Sequence, residues 1–128
     1  LKESILKSAL VKELRDNLRT FVIIRHEDRF SHGIPDISID GNKIGSWIEV
    51  KHANPGFKSK GIQELTMLRL AIASNAFYVV FWEKAAQRRT YIVAPSDIGK
   101  PILEWMSFVD GFNHQFVVNQ VRKVHDHH

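Results

Sequence analysis

Residues 34–51, IPDISIDGNKIGSWIEVK, alternate apolar and polar side chains on both sides of a turn signal, Asp40-Gly41-Asn42-Lys43. A period of two is strand spacing, so the stretch predicts a β-hairpin rather than a helix. Ile37, Ile39, Ile48 and Val50 then share the core face, while Asp36, Ser38, Asp40, Trp47, Glu49 and Lys51 share the other. Asp36 and Glu49 lie equally far from a turn centred between Asn42 and Lys43, which sets them directly opposite one another. Opposed residues hold their Cβ atoms ~4.5–5.5 Å apart, and like charges there are destabilising. A chain that keeps this pair must supply a counter-charge.

The flanking segments extend the pattern. From Lys2 to Arg19, Ile5, Leu6, Ala9, Leu10, Leu14 and Leu18 recur as in an amphipathic helix, and Phe21 to Ile24 reads as a strand. After the hairpin, Asn54-Pro55-Gly56 marks a basic loop, and Ile62 to Ser74 has the length and apolar content of a helix. Phe77 to Trp82 is an unbroken apolar run suited to a buried strand, with Thr90 to Val93 pairing beside it. Beyond Pro95, short helical pieces are expected around Gly99 and Pro101, then a turn at Asp110-Gly111. The order of helix, three strands, helix and two strands predicts an α/β or α+β fold, a mixed central sheet flanked by helices.

At 128 residues the chain is long enough for one core. A single domain is expected, with its core over about 3–94 and a C-terminal extension over 95–124. No run reaches the ~20 apolar residues that span a bilayer, and no export leader opens the chain, so a cytoplasmic protein without membrane contact is expected. The absence of cysteine removes disulfides and zinc-thiolate sites together, leaving oxygen or imidazole for any metal. A net charge of +4 leans towards a polyanionic partner.

The counter-charge for Asp36 and Glu49 has a natural candidate. Mg²⁺ takes one or two carboxylates plus waters and a phosphate oxygen, so opposed acids on adjacent strands make a suitable seat. Lys51, on the same face, is placed to position a water or to offset charge on a scissile phosphate. The competing reading is a solvated strand face on which Lys51 merely offsets one acid.

Gly33-Ile34-Pro35-Asp36, twelve residues, then Glu49-Val50-Lys51 resembles the PD-(D/E)XK nuclease superfamily. The G-x-P-D form with a following helical glutamine looks most like its VRR-NUC branch, which includes small stand-alone phage-type members. The likeness spans roughly residues 3–82 and implies an αβββαβ, restriction-endonuclease-like core. It further implies a Mg²⁺- or Mn²⁺-dependent endonuclease in which Asp36, Glu49 and the Val50 carbonyl hold metal, Lys51 is the catalytic lysine and Gln63 orients water or lysine. Such nucleases usually add a glutamate from the first helix. Glu3 falls on the side of Leu6, Leu10 and Leu14 and is preferred, with Glu13 in reserve.

For DNA contact, Arg25, Arg29, Lys43, Lys58 and Lys60 are the cations expected around this face. A structure-selective enzyme acting on four-way junctions or flaps is the leading expectation, and a junction resolvase would need a two-fold homodimer. The alternatives are a DNA-binding or assembly module without turnover, and a restriction-type, sequence-specific endonuclease.

Overall fold

The computed structural model describes residues 2–27, 33–54 and 61–126, with 61–63 described by their backbone alone. Among these, β1 (Val22–Arg25), β2 (Ile37–Gly41), β3 (Ile44–Ala53), β4 (Asn75–Lys84), β5 (Gln87–Val93) and β6 (Phe108–Asp110) lie in that order across one sheet. Three helices flank it: α1 (Lys2–Asn17), α2 (Gly61–Ala73) and α3 (His114–His125). Neighbouring strands are antiparallel except β3 and β4, which run parallel because α2 carries the chain back across the sheet. The fold is therefore the expected mixed α+β type, and its first six elements follow the order αβββαβ.

The hairpin has the register that its sequence demands. Ile37 pairs with Ile48 and Gly41 with Ile44, which leaves Asn42 and Lys43 as a two-residue turn. Both have positive φ, 55° and 66°, the left-handed pair whose twist suits an antiparallel hairpin. Gly41 is required for a different reason: a Cβ there would meet the Phe21 ring at 2.4 Å.

Alternation divides the apolar residues between two layers. Ile23, Ile37, Ile39, Ile48, Val50, Phe77, Val79 and Phe81 face α1 and α3, while Tyr78, Val80, Trp82, Tyr91 and Val93 face α2 and two short 3-10 turns at Pro95–Asp97 and Ile102–Glu104. β4 feeds both layers, hence its unbroken apolar run. On α1 the buried residues are Leu6, Leu10, Val11 and Leu14. Ile5, expected in that stripe, is 68% exposed. At 100° per residue it stands about 140° from Leu10, so it belongs to the opposite side of the helix.

The segment beyond Pro95 enters the same core. Asn113 caps α3 by accepting from the Phe116 amide at 3.0 Å, and Val117, Val118 and Val121 pack against α1 and the sheet. Of the late apolar residues, Phe112 packs on this core, whereas Met106 and Phe108 remain exposed. At the end of α3, fully buried His125 lies 2.7 Å from Ser46 Oγ and 2.9 Å from the Gly41 carbonyl, clamping the helix to the hairpin turn. No helix among the described residues is long and apolar enough to cross a membrane.

The contact between Gly41 and Phe21 is testable. Gly41→Ala should destabilise the protein by about 1–3 kcal/mol, the usual cost of overpacking. Gly99→Ala, where a new Cβ meets nothing within 4 Å, should stay within about 0.5 kcal/mol of wild type. Urea denaturation of the two variants compares them directly.

Candidate active site

The site forms where β2 stops pairing with β3. Gly33, with φ at 90°, and Pro35 bring the chain in at an angle, and regular pairing begins only at Ile37. Asp36 stands opposite Glu49, as the register requires, and its amide donates to Glu49 Oε1 at 3.1 Å. Past this point β3 continues to Ala53, so its amides need acceptors from elsewhere. Val50 N donates to Asp36 Oδ2 at 2.8 Å, and His52 N donates to Glu3 Oε1 at 2.9 Å. Two carboxylates thus take over the ladder where β3 runs past β2.

Two lysines complete the cluster. Lys51 Nζ lies 3.1 Å from Glu49 Oε2, and Lys7 Nζ on α1 donates to Asp36 Oδ1 at 2.8 Å. Both pairs are largely shielded, with side-chain exposures of 16% and 3% for the first and 16% and 15% for the second. Glu49 is the most deeply placed. Burial, reinforced by the charge of Asp36 and opposed by Lys51, pushes its carboxyl up to about 7.

A second network anchors the start of α1 to the sheet. Glu83 on β4 receives Lys2 at 2.7 Å and the His52 ring at 2.6 Å. Since Glu3 holds the amide of that same His52, the first turn of α1 is fixed to β3 at His52 and to β4 at Glu83. On the other side of the site, His26 lies 2.8 Å from Ser38 Oγ and stacks on Trp47 with ring centroids 5.3 Å apart.

Asp36, Glu49, Lys51 and Val50 are therefore brought together, Glu3 lies further along the same strand edge at His52, and Glu13 is elsewhere. Glu13 accepts from Asn17 at 3.2 Å and looks towards α3, where burial lowers the His114 pKa and the Glu13 charge opposes that shift. The Gln63 side chain, Arg29, Lys58 and Lys60 lie outside the described residues. Lys43 is exposed in the hairpin turn at the far end of β3, about 20 Å along the chain from Glu49, so it does not join this cluster. Arg25 lies beside the first turns of α1, hydrogen-bonded to Ser8 at 2.6 Å and paired with Glu27 at 2.9 Å. Lys7 was not foreseen. Its signal was present, because a lysine four residues after Glu3 sits on the same inward face of α1.

A cleft of about 550 Å³ lined in part by Ala71, Phe77, Val93 and Trp105 contains none of these groups. Among the described residues, no three His, Cys, Asp or Glu side chains converge closely enough to hold a metal by themselves.

No protein-family model matches the chain, and no curated protein matches its sequence. Among solved structures it is similar to Archaeoglobus fulgidus Hjc, a Holliday junction resolvase from an archaeal hyperthermophile, with 16% identity and a TM-score of 0.58. The match covers 98% of this chain and 97% of that one. At this identity the likeness establishes the fold, a restriction-endonuclease-like core with a six-stranded mixed sheet.

The position of Glu49 has a measurable consequence. Its carboxyl is raised from 4.5 to about 7 on folding, so between those values the folded state binds more protons than the unfolded one. The stability Glu49 contributes is complete below about pH 4.5 and is lost as pH rises through 7, an effect on the order of 3 kcal/mol. Denaturation in chelator from pH 5 to 8 should show wild type losing stability relative to Glu49→Gln. Parallel pH profiles for the two proteins would contradict this account.

Proposed function

We propose that the protein is a divalent-metal-dependent DNA endonuclease that hydrolyses phosphodiester bonds, selective for branched DNA such as four-way junctions or flaps. The observation that carries this reading is the pairing of opposed Asp36 and Glu49 with Lys51 at the end of the hairpin. The similarity in fold to a Holliday junction resolvase supports it. The G-x-P-D sequence further suggests kinship with the VRR-NUC branch.

The donor set suits Mg²⁺ or Mn²⁺. Among the described residues, the oxygens of Asp36 and Glu49 bond to Lys7, Val50 N, Asp36 N and Lys51. A carboxylate offers about four acceptor positions, more than these bonds use, which leaves acceptor capacity for a cation. The upward shift of Glu49 marks a place where further positive charge is favourable. In the proposed site Asp36, Glu49 and the Val50 carbonyl hold the ion, with Glu3 beside them and the remaining positions left to water and substrate. The ion supplies charge that stabilises the transition state and acidifies water.

The remaining work falls to the chain. Lys51 donates to a non-bridging phosphate oxygen or orients the attacking water, and Glu49 holds the lysine at the correct place. Lys7 fixes the Asp36 rotamer from α1. Gln63, at the start of α2, is proposed to orient the water or the lysine. A four-way junction presents two strands for cutting, so resolution requires two such sites and a two-fold homodimer.

Labelled four-way-junction, flap, linear duplex and single-stranded DNA, incubated with Mg²⁺ or Mn²⁺, test the proposal. Wild type should cut branched DNA preferentially, and Asp36→Asn and Lys51→Ala should each lose about 100-fold or more in rate. No cleavage of any substrate, together with no rise in melting temperature on adding either metal, would leave a non-catalytic binding module as the better reading.

A further inference from the structure

The first turns of α1 serve two surfaces. Glu3 and Lys7 face the acid cluster, while Ser4 and Ser8, one residue further along, face Arg25 of β1. Continuing that row, Lys12 and Arg15 border a groove of about 340 Å³ between α1 and β1, lined by Ser8, Val11, Lys12, Arg15, Asp16 and Arg25. From Ser4 to Arg15 the row is about 16 Å long at 1.5 Å per residue, enough for more than one phosphate.

The cations of this groove are prepared for an external anion. Arg25 is held rigidly by Ser8 at 2.6 Å and Ser4 at 3.3 Å, and its acidic partner Glu27 is 71% exposed. Lys12 pairs with Asp16 one turn away, with side-chain exposures of 78% and 54%, and such exposed pairs are weak and readily exchanged. Arg15 donates one group to the Ile23 carbonyl at 2.9 Å and has further donors on its guanidinium. Other cations are occupied differently. Lys7 serves Asp36, Lys2 serves Glu83, and Arg88 and Arg89 lie over the rings of Phe112 and Phe108.

We propose that this groove binds the phosphodiester backbone of the DNA strand that flanks the cut, with Lys12, Arg15 and Arg25 contacting successive phosphates. The proposal rests on the nuclease reading for its ligand, and it begins one residue from the acid cluster. Phosphate contact of this kind fixes the position and register of the strand and carries no sequence information.

The test separates binding from cutting. Fluorescently labelled four-way junction is titrated with Asp36→Asn protein in chelator between 50 and 200 mM salt, alone and combined with Lys12→Glu, Lys12→Ala plus Arg15→Ala, or Lys123→Ala on α3. The double alanine variant should lose about 1.8 from the slope of log K against log salt and bind roughly tenfold or more weakly at the lower salt. Lys123→Ala should match its parent. Lys12→Glu, at an exposed position where the contact given up is a weak surface pair with Asp16, keeps the test sound if the double variant melts early. Cleavage by Lys12→Glu with the acids intact should show a raised KM and an unchanged kcat. If DNA binds and is cut but these variants bind like their parent, the groove proposal is wrong and the nuclease reading stands. If no DNA binds at all, both fail.

Discussion

The edge of β3 beyond Glu49 is the constraint from which the site follows. A strand that outruns its partner leaves amides pointing at nothing, and an unsatisfied buried amide costs about as much as a lost hydrogen bond. Here the acceptors are carboxylates: Asp36 on Val50 N and Glu3 on His52 N. One comes from the last residue before β2 and the other from the first turn of α1, so the same two bonds complete the strand and dock the helix. They also deliver negative charge to one end of the sheet. The site is in this sense a result of how the ladder is terminated.

That arrangement explains the lysines. Asp36 and Glu49 stand close enough for each to oppose the other's charge, and Glu49 is almost fully buried. Lys51 arrives from β3 itself, two residues along the same face, and Lys7 arrives from α1, one turn after Glu3. Burial, with the Asp36 charge second, holds the Glu49 carboxyl near 7 although Lys51 opposes the shift. Under the proposed function, a cation bound beside the two acids would supply the further positive charge. A tighter ion-pair network would make a more stable protein and a poorer seat for a cation.

Much of this was legible because strand periodicity is local. Alternation in residues 34–51 and the position of one turn set the register, and the register alone places Asp36 against Glu49 and sends Ile37, Ile39, Ile48 and Val50 inward. Helical angle likewise separates Glu3 from Glu13, whereas Ile5, grouped with the buried stripe from its spacing, lies on the exposed side of the helix. What the sequence did not yield depends on pairs far apart in the chain. The Lys7 to Asp36 bond spans 29 residues, His125 to Gly41 spans 84, and Val117, Val118 and Val121 reach the core only because α3 lies against α1. No window of sequence contains both members of such a pair. Lys7 marks the boundary, since its face was predictable and its partner was not.

The division of labour on α1 follows from helix geometry. Residues 3 and 7 form one row and residues 4, 8, 12 and 15 the adjacent one, about 100° around the helix. The first row is pinned by the strand edge, so the second cannot avoid facing the β1 side, where Ser4 and Ser8 meet Arg25. A helix rotated by one residue would break both sets of contacts together. Under the proposed function this couples chemistry to substrate placement: the bonds that aim Glu3 at the site also set the angle of the cationic row beside it. Loosening the Glu83, Lys2 and His52 network at the start of α1 therefore acts on both surfaces, although none of those three side chains lines the groove.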